Sequence, residues 1–161
     1  MEDTTQRDRI VVGVDGSAPS VAALRYAARI ADAFDAPIEA ITTWTYPPFS
    51  DPSLIANWSP ERDAAAVLDE AVEEAFAEQP PVGLVKTVLI GPAAGALIEV
   101  SRGCALLVLG SRGRGGFAGL HLGSVGLACA AHASCPVVIV HGTGDADAAA
   151  PAPATGAASR S

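Results

Sequence analysis

The sequence has one lysine, Lys86, among its 161 residues. A Walker A phosphate loop needs a lysine after its glycines, and Lys86 lies in a segment with strand character, so that loop cannot be built from the glycines near residue 110. The net charge is −8, which argues against nucleic acid or an anionic membrane surface as a general partner. Any bound anion must therefore be held locally, by backbone N–H groups and arginine.

Cysteine is scarce, and long apolar runs are absent from the sequence. Cys104, Cys129 and Cys135 lie in apolar surroundings without C-x-x-C spacing, which argues against a zinc site or a redox pair, and we expect them to be small core residues. No run reaches the roughly 20 apolar residues of a membrane span. The polar start MEDTTQRDR has no apolar signal core, so we expect a cytoplasmic protein without a membrane partner.

The sequence also shows no recognisable catalytic set. It contains no Ser-His-Asp set, G-x-S-x-G elbow or paired-carboxylate motif. Its histidines, His121, His132 and His141, are scattered without metal-ligand spacing, and we interpret them as surface residues. Gly113-x-Gly115-x-x-Ala118 matches a dinucleotide fingerprint by letter, but it follows the wrong strand and no acidic residue lies about twenty positions on. We predict no catalytic residue and no metal ligand.

Apolar runs alternate with helical stripes along the chain, and half of its residues are hydrophobic. That length and composition suffice for one domain with its own core. The strict alternation predicts an α/β fold, with an open five-stranded parallel sheet and helices on both faces. The predicted strands cover 9–14, 37–45, 82–90, 104–109 and 137–141, and the predicted helices cover about 18–34, 61–78, 92–101 and 123–133.

Two segments fall outside this alternation. Residues 46–60 carry four prolines, so we expect a loop of unusual length, and such loops are often functional. Residues 143–161 consist mainly of Ala, Pro, Gly, Ser and Asp without an apolar stripe, which cannot repay the entropy of ordering. We therefore predict one domain over residues 1–142 and a disordered tail over 143–161.

The chain is organised around residues 105–124, ALLVLGSRGRGGFAGLHLGS, where a buried strand gives way to glycine and arginine before a helix begins. We expect the glycines at 110, 113, 115 and 116 to take positive φ and approach a ligand closely. Arg112 and Arg114 add positive charge, and Gly123-Ser124 opens a helix whose N–H groups favour an anion. The order of strand, glycine loop and helix start suits a phosphate site, although similar loops also connect elements where nothing binds.

The spacing Gly110-x-x-Gly113, then nine residues, then Gly123-Ser124, resembles the nucleotide-binding signature of the universal stress protein family. The segment IVVGVDGS at 10–17 resembles that family's first strand and acidic turn, and CPVVIV at 135–140 resembles its last strand. The resemblance covers about residues 8–142. It implies a Rossmann-like, adenine nucleotide alpha hydrolase-like fold with strand order 3-2-1-4-5.

In that order the first and fourth strands are neighbours, and their carboxyl ends form the switch point where open α/β sheets bind ligands. The resemblance implies ATP as the cofactor and leaves open whether Mg²⁺ accompanies it. It places Asp15 at the nucleoside and the strand end Thr43 to Thr45 at the base, where Trp44 would stack on adenine. Taken singly, Asp15 is also explained as a helix-capping carboxylate, Trp44 as a core residue and Ser124 as a helix cap. The candidate nucleotide-binding residues are Gly13, Val14, Asp15, Ser17, Thr43, Trp44, Gly110, Ser111, Arg112, Gly113, Arg114, Gly115, Gly116, Gly123, Ser124 and Val125.

The leading hypothesis is a nucleotide-dependent regulator in the stress response, which uses ATP as a conformational signal, hydrolyses it at most slowly and acts on an unidentified protein. One alternative is an adenylate-forming enzyme, but its S-G-G-x-D-S loop is here only Val-Asp-Gly-Ser. Another is a stress-protein dimerisation module without nucleotide, whose members lack the glycine spacing. The run Val137 to Val140 would leave an exposed apolar sheet edge, and the resemblance implies a homodimer through it.

Overall fold

The computed structural model describes residues 8–48, 51, 53, 56–113 and 122–142. Neighbouring strands pair in parallel in the order β3-β2-β1-β4-β5, which confirms the predicted fold class and strand order. The strands are β1 (Ile10–Gly13), β2 (Ile38–Trp44), β3 (Val85–Ile90), β4 (Leu106–Gly110) and β5 (Val137–Val140).

The described helices cover both faces of this sheet. They are α1 (Ala18–Phe34), α2 (Pro60–Phe76), α3 (Ala93–Val100) and α4 (Ser124–His132), with a 3₁₀ turn at Ser101–Gly103. Side chains of α1 and α2 share one buried cluster, and those of α3 and α4 share a second. The sheet therefore separates two hydrophobic cores.

The central strands are apolar because they are buried on both faces. Val12 and Val108 are opposite each other across β1 and β4 and belong to the core under α1 and α2. Val11 and Leu107 are likewise opposite each other but belong to the core under α3 and α4. All four side chains have no exposed surface, as expected where successive strand residues point to opposite covered faces.

Local signals set the ends of α1, which runs over 18–34 as predicted. The Ser17 side chain caps it by accepting the Ser20 N–H at 3.4 Å. Pro19 lies in the first turn, where a missing N–H costs nothing. Asp35 ends the helix in the left-handed conformation, with φ 51°.

Other boundaries differ from the predicted ones. β3 begins at Val85 rather than at residue 82, because Val82 is fully exposed and Gly83 turns with φ 77°. Helix α2 ends at Phe76, before the two prolines that follow, because Ala77 takes a positive φ of 51°. It starts at Pro60, behind the cap residue Ser59, so Pro60 belongs to the helix rather than to the predicted loop.

Two of the sequence predictions fall largely outside the described residues. The tail at 143–161 lies outside them entirely, and the loop before α2 is described only at 46–48, 51, 53 and 56–59. The domain limits and the character of the tail therefore stay predictions. Within the described helices, none is long and apolar enough to cross a bilayer.

Candidate functional site

A cavity of about 590 Å³ opens at the carboxyl ends of β1, β2 and β4. Here the chain leaves β1 for α1 on one face of the sheet and leaves β4 for α4 on the other, which makes this crevice the topological switch point. The lining residues are Gly13, Val14, Asp15, Ser20, Ile41, Thr42, Thr43, Ala64, Val67, Ala93, Leu97, Leu109, Gly110, Arg112, Gly113, Gly123, Ser124, Val125 and Gly126.

The acidic turn after β1 is held by its own hydrogen bonds. Asp15 Oδ1 accepts the Ser17 N–H at 2.9 Å and the Ser17 hydroxyl at 2.5 Å, and Gly16 between them has φ 81°. This is the side-chain turn that aspartate favours. Ser17 is the capping residue of α1, so Asp15 shapes the turn and lines the cavity rather than capping the helix itself.

The acidic turn meets the glycine loop directly. The Ser17 hydroxyl also lies 3.3 Å from the carbonyl oxygen of Arg112. A Cβ placed on Gly113 would come within 2.5 Å of Asp15 Oδ2. The two segments that the sequence predicts to be neighbours are therefore in contact, and the Asp15 carboxylate lies against the glycine loop.

The two described glycines of this loop, Gly110 and Gly113, lie close to neighbouring groups and do not have positive φ. Among the described glycines only Gly16, Gly83 and Gly91 have positive φ, so the expectation of positive φ at Gly110 and Gly113 is wrong. A Cβ on Gly110 would lie 2.7–2.8 Å from backbone and Cβ atoms at the start of α1. That backbone contact explains Gly110, whereas at Gly113 the close atom is the end of the Asp15 side chain, which would have to shift.

Helix α4 begins at the cavity wall. Gly123 is its N-cap, with φ −73°, and Leu127 N–H makes the bond back to the Gly123 carbonyl at 2.9 Å. The N–H groups of the three residues before Leu127 have no intrahelical acceptor, and these residues, Ser124 to Gly126, line the cavity. Since Gly123 holds the cap position, the alternative that Ser124 caps its helix is wrong.

Ser111 supports the loop from inside the protein. It has no exposed surface, its N–H donates to the Val140 carbonyl at 2.8 Å, and its carbonyl accepts the Gly123 N–H at 2.7 Å. Its hydroxyl has no hydrogen-bond partner among the described residues. Ser111 thus ties β4 to β5 and to the start of α4 through its backbone and does not line the cavity.

The predicted base-contacting residues separate in the structure. Thr43 lines the cavity, whereas Trp44 does not and instead packs edge-on against Tyr46, with ring centroids 5.0 Å apart. Ser17 also lies outside the lining and instead contacts Asp15 and the Arg112 carbonyl. Arg114, Gly115 and Gly116 lie outside the described residues.

Sequence reasoning did not identify the apolar wall of the cavity. Ala64 and Val67 on α2 and Ala93 and Leu97 on α3 close its sides. Their spacings of three and four residues place each pair on one helix face. That periodicity was visible, but nothing local distinguishes a helix face that borders a cavity from one that fills a core.

The charges in the cavity are few. Of the described residues that line it, Arg112 is the one cation and Asp15 the one carboxylate. In the part of the chain that the structure describes, no three His, Cys, Asp or Glu side chains come together as a metal site. The cavity thus combines an apolar slot with a helix N-terminus and one arginine, which favours an amphipathic anion.

Comparison with known proteins identifies the family of this chain. The model of the universal stress protein family matches residues 6–141. A universal stress protein of Mycolicibacterium smegmatis is 33% identical over 140 residues, which are 83% of this chain and 48% of that protein. The chain spans about half the length of the curated relatives it matches.

Solved structures share the fold over nearly their whole length. The universal stress protein UspA from Lactobacillus plantarum has a TM-score of 0.71 at 23% identity, covering 84% of this chain and 98% of that chain. A universal stress protein solved in complex with cAMP has a TM-score of 0.60 at 26% identity, covering 86% of this chain and 99% of that chain.

Proposed function

This chain belongs to the universal stress protein family, and from that premise we propose that it binds ATP in the cavity between the Asp15 turn and the glycine loop. Bound nucleotide acts as a conformational signal for regulation in the stress response. The observation that carries the proposal is the cavity at the switch point, which joins an apolar slot to the N-terminus of α4.

In this proposal the phosphates of ATP bind at the end of the cavity formed by the glycine loop. The first N–H groups of α4 lack intrahelical acceptors and carry the positive end of the helix dipole. Arg112 lines the same end and adds a full positive charge for charge-assisted hydrogen bonds. Backbone and arginine thereby replace the lysine that a Walker A loop would supply.

The nucleoside is placed toward β2 and the helices. Ile41, Val67 and Leu97 offer apolar contacts there, and Thr43 offers a hydroxyl. The similar protein solved with cAMP supports an adenine nucleotide as the ligand class. A cavity of about 590 Å³ also lies within the usual range of small-molecule sites, roughly 300–1,000 Å³.

Asp15 has two candidate roles in this arrangement. The resemblance to the family implies a contact with the nucleoside. The contact of its carboxylate with Gly113 also suits a Mg²⁺ ligand, because Mg²⁺ is commonly held by one or two carboxylates together with substrate phosphates. Asp15 would then supply the protein ligand, and the ion would offset the repulsion between carboxylate and phosphate.

Turnover is proposed to be slow. In-line phosphoryl transfer needs a positioned nucleophile as well as charge neutralisation. Within the described lining, Asp15 is the only candidate base, and Ser17 already donates two hydrogen bonds to it. We therefore place ATP hydrolysis below about 1 s⁻¹, the low end of ordinary enzymes.

We further propose that the chain forms a homodimer through β5. It would act on an unidentified protein and be located in the cytoplasm. The dimer is supported by the position of β5 at one edge of the sheet, next to β4 alone. Its four residues are apolar and only half-buried in one chain. Pairing with a second copy would cover an edge that otherwise invites aggregation.

The direct test is to denature freshly purified protein and identify the released small molecules by mass spectrometry. Adenine nucleotide in near-stoichiometric amount supports the proposal. Protein that purifies empty and also fails to bind added ATP in calorimetry contradicts it, and would favour the alternative of a dimerisation module.

A further inference from the structure

Two cysteine thiols lie side by side at the end of the sheet opposite to the cavity. The Sγ atoms of Cys104 and Cys135 are 3.5 Å apart, although the residues are 31 positions apart in sequence. Cys104 follows the 3₁₀ turn and precedes β4, and Cys135 precedes β5. The contact is therefore made where two paired strands begin.

A bend brings Cys104 to the face that Cys135 occupies. Leu107 and Leu109 point into the core under α3 and α4, and strand alternation alone would send residue 104 to the other face. Ala105 is a bend, and Cys104 joins the same core as Cys135. The fold thus places both thiols in one cluster.

A second contact fixes the backbone around the pair. The Ser101 hydroxyl accepts the Ser134 N–H at 2.8 Å and donates to the Ile98 carbonyl at 2.6 Å. Ser101 is three residues before Cys104, and Ser134 immediately precedes Cys135. The two segments are held together independently of the sulfur contact.

The two thiols differ in accessibility. Cys104 is 9% exposed, and burial together with the neighbouring Cys135 thiol raises the pKa of Cys104 to about 12. It remains protonated at neutral pH. Cys135 is only half-buried, so an oxidant from solvent reaches it first.

We propose that Cys104 and Cys135 form a peroxide-oxidisable thiol pair that closes to an intramolecular disulfide. Cys135 sulfur attacks one oxygen of hydrogen peroxide, the O–O bond breaks, and sulfenic acid and water form. Cys104 sulfur then attacks the sulfenic sulfur, the Cys104 thiol proton passes to the leaving hydroxyl group, and water departs as the S–S bond forms. In total, two thiols lose two protons and two electrons, and one peroxide takes them up to become two waters.

The required movement is small. A disulfide brings its sulfurs to about 2.05 Å, and here they start from 3.5 Å. The bond would enclose residues 104–135, which include the glycine loop and all of α4. Closing a loop of this length restricts the unfolded chain and stabilises the folded one.

The inference does not rest on nucleotide binding. Six residues of extended chain, roughly 20 Å, separate Cys104 from Gly110 at the cavity. Oxidation should therefore change the melting temperature while leaving the cavity walls in place.

The test treats the reduced full-length protein with hydrogen peroxide and removes the excess with catalase. Peptide mapping under non-reducing conditions then locates any link, and calorimetry compares the oxidised sample before and after dithiothreitol. Cys135→Ser removes the pair, and Cys129→Ala is the matched control, because Cys129 lies in the same core but outside the 3.5 Å contact.

We expect a Cys104–Cys135 link in the wild type and in Cys129→Ala, and none in Cys135→Ser. Oxidation should raise the wild-type melting temperature by roughly 5–15 °C, reversibly. Absence of a link, a Cys129–Cys135 link, links only between chains, or a lower melting temperature after oxidation would each overturn the proposal. All four of these contradicting results are measured on the wild-type protein, so the test remains valid even if a variant does not fold.

Discussion

The Ser17 hydroxyl lies 3.3 Å from the carbonyl oxygen of Arg112, and the two residues are 95 positions apart in sequence. The same hydroxyl donates to Asp15 at 2.5 Å and accepts the Ser20 N–H at 3.4 Å. One small side chain thus caps α1, fixes the acidic turn and contacts the glycine loop. Ser17 therefore joins the acidic turn to the glycine loop, although Ser17 itself does not line the cavity.

Replacing Ser17 by alanine should affect both stability and binding. Loss of the helix cap should cost about 1 kcal/mol of unfolding free energy. ATP affinity should also fall, because Asp15 and Arg112 lose their shared contact. Denaturant unfolding and calorimetric titration measure the two effects.

Ser59→Ala is the matched control for this change. Ser59 caps α2 by accepting the Arg62 N–H at the same 3.4 Å and is not among the residues that line the cavity. It should cost a similar unfolding free energy and leave ATP affinity unchanged. Equal losses of affinity in the two variants would mean that Ser17 acts only through stability.

Gly110→Ala and Gly123→Ala should differ sharply. A Cβ at 110 would lie 2.7–2.8 Å from Pro19 and from the Ser20 nitrogen, whereas one at 123 would meet no atom closer than 3.6 Å. Overpacking should cost Gly110→Ala roughly 1–3 kcal/mol. Gly123→Ala should cost no more than about 1 kcal/mol, the usual scale of a cap change. Equal unfolding free energies would show that α1 does not pack on Gly110.

Asp15→Ala separates the two roles proposed for the carboxylate. A contact with the nucleoside should weaken adenosine, AMP and ATP alike. A metal-linked role should weaken ATP selectively, and only when Mg²⁺ is present. Titrations of the variant with AMP and with ATP, each with and without Mg²⁺, decide between the two roles. Wild-type affinity in all four titrations would show that Asp15 does not contribute to nucleotide binding.

The β5 edge predicts a homodimer. Light scattering at micromolar concentration should give twice the mass of the chain, with or without ATP. Removing residues 143–161 should leave the protein a dimer, at twice the mass of the shortened chain, since β5 ends at Val140. A strictly monomeric species would leave the edge uncovered and contradict pairing through this strand.

Much of the fold could be predicted because its signals are local. Ser17, Pro19 and Asp35 mark the ends of α1, and uninterrupted apolar runs mark the buried strands. The start of β3 was misplaced because Val82 is apolar yet fully exposed. Hydrophobic residues are buried on average, but a single hydrophobic residue can still be exposed.

The interior of the site was harder to predict because it depends on tertiary contacts. The requirement for glycine at 110 comes from α1 packing, which no local pattern reveals. The contact between Cys104 and Cys135 forms across paired strands, so the C-x-x-C spacing rule missed it. The apolar wall from α2 and α3 likewise appears only when the helices are placed on the sheet.

The measurement that tests the nucleotide site most directly is ATP titration of Gly123→Glu against Gly123→Ala. The site has room for a Cβ at φ −73°, and a carboxylate near a helix N-terminus is tolerated by the helix dipole, so both variants should fold. The Glu side chain would occupy the place proposed for phosphate. Bound ATP would then lose about two charged hydrogen bonds to the protein, each worth roughly 1.5–3 kcal/mol. ATP affinity should therefore fall by about two orders of magnitude or more in Gly123→Glu and stay near wild type in Gly123→Ala. A folded Gly123→Glu protein that binds ATP as tightly as wild type would contradict a phosphate site at the start of α4.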